Sequence, residues 1–193
     1  MIKVKNYVLF YSVKDHLSNF YPCVFYYLGK PYLSVEHFYV TQKLIAMNCL
    51  NDLAKLNACL KGSNFLNSFL YGKITTQEIQ ENPTYLEWFH NYMKQIKEYG
   101  RTRNGDIKKW ENVKVKVMEL GLSLKFNNED MKQVLLDTKD SILVECSPYD
   151  YFWGVGMSKE VVKSIIEEND FNDYAQGVNQ LGESLMKIRK SII

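Results

Sequence analysis

Apolar and aromatic residues crowd the first part of the chain in short, dense runs. Val4, Tyr7-Val8-Leu9-Phe10-Tyr11 and later Cys23-Val24-Phe25-Tyr26-Tyr27-Leu28 are rich in strand formers, so residues 3–33 read as extended. Leu28-Gly29-Lys30-Pro31 has the composition of a tight turn leading into Tyr32, and His16-Leu17-Ser18-Asn19-Phe20-Tyr21-Pro22 that of a loop. From Ser34 the period changes. Val35, Phe38, Gln42 and Ile45 recur at three or four residues behind a serine suited to an N-cap, which predicts a helix over 35–47. A second helix is predicted over 50–61, stopping near Gly62. Helical patterns follow at 76–80, 84–98 (with Pro83 at its start), 107–125, 129–137, 158–168 and 177–192. Ile142-Leu143-Val144-Glu145 reads as a short strand ended by Ser147-Pro148. With no repeat, low-complexity tract or break in composition, the expectation is a single α+β domain over 1–193, mainly helical with a small β component.

Composition narrows the function. A chain of 193 residues with 46% hydrophobic and 24% charged residues can bury a sizeable core. The net charge of +2 gives no whole-surface basic field of the kind that holds a nucleic-acid backbone. Cys23, Cys49, Cys59 and Cys146 form no CxxC pair and have no metal-ligand spacing with His16, His37 and His90, so no metal and no cofactor is expected. Charges recur too early for a secretory leader, and no apolar run approaches a membrane span. A cytoplasmic protein with free thiols is the expectation.

Three segments carry chemistry. In Ser34-Val35-Glu36-His37-Phe38-Tyr39-Val40-Thr41-Gln42-Lys43, Glu36 falls in the first helical turn, where free N–H groups and the helix dipole favour a carboxylate. Glu36, Tyr39 and Lys43 stand at i, i+3 and i+7 and share one face. In Glu145-Cys146-Ser147-Pro148-Tyr149-Asp150-Tyr151-Phe152-Trp153-Gly154-Val155-Gly156, a strand empties into a loop with an acid, an indole that can cover a base, and glycines that permit close backbone approach. Gly154-Val155-Gly156 lacks the third glycine and the strand-to-helix setting of a dinucleotide fingerprint. In the third segment, Leu17-Ser18-Asn19-Phe20-Tyr21, Asn19 can bind a sugar hydroxyl or an amide edge, or form an Asx turn.

Taken together these segments resemble the NADAR family, also known as the YbiA-like proteins. The resemblance rests on Leu-Ser-Asn-Phe-Tyr (17–21), Ser-Val-Glu-His-Phe (34–38), Gln-Lys (42–43), Gly-Arg (100–101), Trp110, Lys125-Phe126 and Leu-Leu-x-Thr (135–138). It continues through Leu-Val-Glu-x-Ser-Pro-Tyr-Asp (143–150), Phe-Trp-Gly-Val-Gly (152–156), Gly-x-Asn-x-Leu-Gly (177–182) and Leu-Met-x-x-Arg (185–189). The stretch Asp173-Tyr174-Ala175-Gln176 departs from it, since many relatives carry Trp there, and residues 48–99 match weakly.

The resemblance implies N-glycosidase chemistry on a nucleotide-like substrate. The leading expectation is removal of ADP-ribose from modified guanine bases in DNA or RNA. The alternatives are cleavage of phosphorylated riboflavin-pathway intermediates, or a binding module for ADP-ribose-type ligands without turnover. It makes Glu36, Lys43 and Asp150 the expected catalytic residues, and Asn19, Phe20, Arg101, Trp153, Gly154 and Asn179 the expected substrate-binding ones. Breaking an N-glycosidic bond builds positive charge at C1 while the departing nitrogen needs a proton. Glu36 suits the first demand, and Asp150 the second if its loop desolvates it. Lys43 offers another route, exchange with a ring-opened sugar imine to form a Schiff base. Arg101 suits a phosphate, because a guanidinium grips it bidentately.

Overall fold

The β-rich runs form β1 (Ile2–Val4), β2 (Tyr7–Phe10), β3 (Phe25–Tyr27), β4 (Lys30–Tyr32) and β5 (Ile142–Glu145). The helical patterns form α1 (Val35–Ala46), α2 (Leu50–Lys61), α3 (Asn64–Leu70), α4 (Thr76–Glu81), α5 (Pro83–Gly100), α6 (Ile107–Lys125), α7 (Glu129–Leu136), α8 (Lys159–Glu168) and α9 (Gln180–Ser191). The computed structural model describes residues 1–168, 171 and 174–192. Asp173, in the stretch that departs from the family pattern, lies outside the described residues. The elements divide between two units, residues 1–21 with 126–193, and residues 22–125.

In the first unit β2 is the middle strand of the order β1-β2-β5, antiparallel to β1 and parallel to β5, with Tyr7 opposite Ile142 and Phe10 opposite Glu145. A strand paired on both edges and covered on both faces reads as a continuous apolar run, and Leu9, Phe10, Leu143 and Val144 are fully buried. Leu9, Val144 and Cys146 join Val155, Met157, Val162 and Ile166 in one core cluster, which seats α8. Asp15, also buried, ties this unit together. Its carboxylate accepts from Tyr11 N (2.9 Å), Ser12 N (3.2 Å), Lys159 Nζ (2.9 Å) and the Met1 amine. Burial pushes its pKa up, but these donors outweigh it and hold the carboxyl down at about 2.

The second unit is built around α1. The β3–β4 hairpin enters it through Leu28 and Gly29, both at positive φ (+49° and +73°), as a two-residue turn of the type that matches strand twist requires. Ser34 then caps α1 by accepting from His37 N at 3.1 Å. Val35, His37, Phe38, Val40, Thr41 and Leu44 form the buried side of the helix. Two glycines let neighbouring helices approach this side closely. A Cβ on Gly121 of α6 would lie 2.7 Å from the Phe38 ring, and one on Gly100 of α5 would lie 2.9 Å from Val40. His37 lies within this packing, donates its backbone N–H to the cap, and accepts from Leu33 N through Nδ1 at 3.3 Å. Burial lowers its pKa to about 4, so the ring is neutral.

Two sequence expectations need correction. Residues 64–70 carry a helix, α3, that was not predicted: seven residues are too few to show a period, and the stop at Gly62 masks the new cap, Ser63, which accepts from Leu66 N at 3.2 Å. The last helix begins at Gln180 rather than at 177, because residues 177–179 bond to the loop after β5 instead.

Candidate active site

The predicted residues fall into two groups, one in each unit. In the second unit Glu36 occupies the first turn of α1 and Lys43 the last, about 10 Å apart along the axis, both half-buried. Tyr39 stands between them on the same face and meets Trp110 edge-on at 4.9 Å. The three therefore share one half-buried side of α1. Lys43 Nζ donates to the Gly100 carbonyl at 2.6 Å, at the C-terminal end of α5 where unpaired carbonyls collect. Burial lowers the Lys43 pKa, against the pull of Glu111, Cys49 and Glu36, and Lys114 adds to the lowering. An amine placed so gives up its proton more readily than a surface lysine.

Arg101 follows Gly100 directly and caps α5. Its side chain is exposed and pairs with Glu98 at 2.5 Å, a contact worth little in water and readily exchanged for an anionic ligand. Lys125, known from the sequence only as part of a motif, is the more unusual base. It is fully buried in α6, and burial lowers its pKa to about 8 while Cys23 opposes the shift. The apolar neighbours of Lys125 in sequence hinted at its burial but not at Cys23.

In the first unit the loop after β5 and the segment before α9 form one bracket. Asp150 Oδ1 accepts from Phe152 N (3.0 Å) and Trp153 N (2.7 Å), closing the turn that presents the half-buried indole. The carbonyls of Tyr151, Phe152, Trp153 and Gly154 then accept from the N–H groups of Val178, Gln180, Leu181 and Asn179 at 2.9–3.2 Å. The first N–H groups of α9 are thus satisfied by the tryptophan loop. This explains why two motifs 25 residues apart in sequence serve one structure.

Asn179 sits in the left-handed region (φ +56°) and reaches back to β5: Glu145 N donates to its Oδ1 at 3.0 Å and its Nδ2 donates to the Leu143 carbonyl at 2.8 Å. Gly182 makes room for this, since a Cβ there would lie 2.0 Å from Leu143 O and 2.5 Å from the Asn179 amide. Gly154 answers to packing too, its missing Cβ clearing the Glu145 carbonyl by only 2.8 Å. The amide of Asn179 and the small size of Gly154 therefore do framework work. The loop of Asn19 and Phe20 is held by Ser18, whose Oγ accepts from Phe20 N at 3.2 Å; Asn19 is buried and Phe20 half-buried.

Among the described residues no group of three His, Cys, Asp or Glu side chains is placed to hold a metal ion, and no helix is long and apolar enough to cross a membrane.

A mainly helical α+β chain with an acid–amine stripe on one helix and a bracketed Asp–Trp loop after a parallel strand defines a class of small folds with a ready set of carboxylate, amine and aromatic groups. The chain belongs to the NADAR family, whose domain matches residues 9–193. It is similar to Protein irg-1 of Caenorhabditis elegans, 30% identical over 98% of this chain and 81% of that protein. It is also similar to N-glycosidase Npun_R5314 of Nostoc punctiforme, 26% identical over 91% of this chain and 83% of that one. The NMR structure of Escherichia coli YbiA shares the fold, with a TM-score of 0.59 at 24% identity over 98% of this chain and 87% of YbiA.

Proposed function

We propose that this chain is an N-glycosidase that removes ADP-ribose from modified guanine bases in nucleic acid. The observation that carries the reading is the α1 stripe, a carboxylate at the head of a helix and a half-buried amine in its last turn. Membership of the family, and a relative named as an N-glycosidase that matches over most of both chains, support the class of reaction.

In the proposed sequence the sugar, joined through an exocyclic nitrogen, opens to an imine at C1. The Lys43 amine adds to C1, the bond from C1 to the guanine nitrogen breaks, and that nitrogen leaves with a proton as the free base. Water then hydrolyses the lysine imine, regenerating the amine and releasing ADP-ribose. Overall, one water is consumed for each bond cleaved. Glu36 stabilises positive charge at C1 and relays the proton. Arg101, by releasing Glu98, takes a phosphate. In the other unit Asp150 Oδ1 fixes the turn that presents Trp153, an indole suited to cover a base.

The test is to incubate the protein with an oligonucleotide carrying ADP-ribosylated guanine and follow both products by mass spectrometry. Free ADP-ribose together with restored guanine is expected. An intact modified oligonucleotide after many enzyme equivalents would overturn the proposal. Borohydride added during turnover should leave a ribosyl adduct on Lys43.

A further inference from the structure

Helices α1 and α6 run antiparallel. Phe38, near the start of α1, lies against Gly121, near the end of α6, while the Met47 carbonyl after α1 accepts from Asp106 N at the head of α6 (3.1 Å). The edge contact of Tyr39 with Trp110 lies between these two points. This register lays the first turns of α6 beside the last turn of α1, where Lys43 is. Two charged side chains of α6 occupy that stretch one turn apart, Glu111 and Lys114, and they pair with each other at 2.5 Å. Neither belongs to a motif of the sequence.

Several elements place groups around Lys43. From α1 itself comes Glu36, and from the α1–α2 turn Cys49. The end of α5 contributes the Gly100 carbonyl, flanked by Glu98 and Arg101, which pair with each other. From α6 come Glu111 and Lys114, and Glu111 pulls on the Lys43 charge harder than Glu36 does.

We propose that Glu111 and Lys114, paired with each other on α6 where it runs beside the last turn of α1, are a positioning pair for the Lys43 amine. The pair acts through Lys43 and touches no reacting atom. Its use in catalysis rests on Lys43 being the nucleophile, but its effect on the amine does not. A carboxylate held by a neighbouring lysine pulls less than a bare one, so substituting either partner moves the amine, in opposite directions.

The experiment is competitive amine labelling of the full chain across neutral to alkaline pH, with Lys43 followed by peptide mass. Glu111→Gln should move the Lys43 midpoint to lower pH by roughly 0.5 unit. Lys114→Gln should move it to higher pH, and Glu111→Asp, which keeps the charge, should restore the wild-type direction of pull. At ~1 M salt the variants should converge, because half-exposed charges are screened. Coincident midpoints at low salt, or an upward shift in Glu111→Gln, would overturn the proposal. If labelling shifts as expected while the pH dependence of turnover stays fixed, the pairing stands and Lys43 is not the nucleophile.

Discussion

Replacing Asn179 with alanine separates the framework role that the structure gives this residue from the substrate-binding role that its motif implies. The side chain makes two hydrogen bonds to β5, at 3.0 and 2.8 Å, to backbone groups of Glu145 and the fully buried Leu143. A typical buried hydrogen bond contributes about 1 kcal/mol, and orphaning its partner costs about 1–3 kcal/mol. Alanine must also hold φ +56°, which costs an L-residue with a plain Cβ about 1 kcal/mol. Together these give a loss of about 3–4 kcal/mol, a large share of the stability of a small protein. Asn179→Gly removes the same bonds but accepts the backbone conformation, so it should be less damaging by about 1 kcal/mol. Urea unfolding followed by circular dichroism measures both. An Asn179→Ala protein as stable as wild type, with weakened substrate binding as its only defect, would refute the reasoning and return the amide to the substrate.

Gly121→Ala should destabilise by about 1–3 kcal/mol, because its Cβ meets the buried Phe38 ring at 2.7 Å, and Phe38→Leu in the same chain should recover part of the lost melting temperature. Stability should fall as the pH drops from 6.5 towards 4: His37 is held neutral in the fold down to about 4 while the unfolded chain takes up a proton near 6.5, so protons favour unfolding in that window. His37→Gln should flatten this slope in pH-dependent unfolding curves. Arg101→Ala should leave stability within ~0.5 kcal/mol, since its pair with Glu98 is exposed, yet raise KM with little change in kcat. Steady-state kinetics reads this directly, and an unchanged KM would count against a phosphate contact.

What the sequence made legible follows from range. Helix α1 was readable because its signals are local, a serine cap, an acid in the first turn, and a period whose Val35 and Phe38 are buried, although Gln42 is only half-buried and Ile45 is exposed. The same holds for α5, with Pro83 at its start. What escaped depends on partners distant in sequence. Asn179 bonds to residues 34 and 36 positions away, so its motif pointed to substrate binding while its two bonds to β5 stayed out of view. Glu111 became relevant to Lys43 only once Gly121 and Gly100 let α6 and α5 close on α1. The glycine of Trp-Gly-Val-Gly invited a ligand-approach reading, whereas the close approach in the structure is to the Glu145 carbonyl.

The most direct trial of the account is a single-turnover comparison of wild type with Glu36→Gln on an oligonucleotide bearing ADP-ribosylated guanine. Loss of the charge at the head of α1 should slow release of ADP-ribose by about 10²-fold or more while the fold is retained. Release at the wild-type rate would remove Glu36 from the chemistry, and with it the assignment of this helix as the active element.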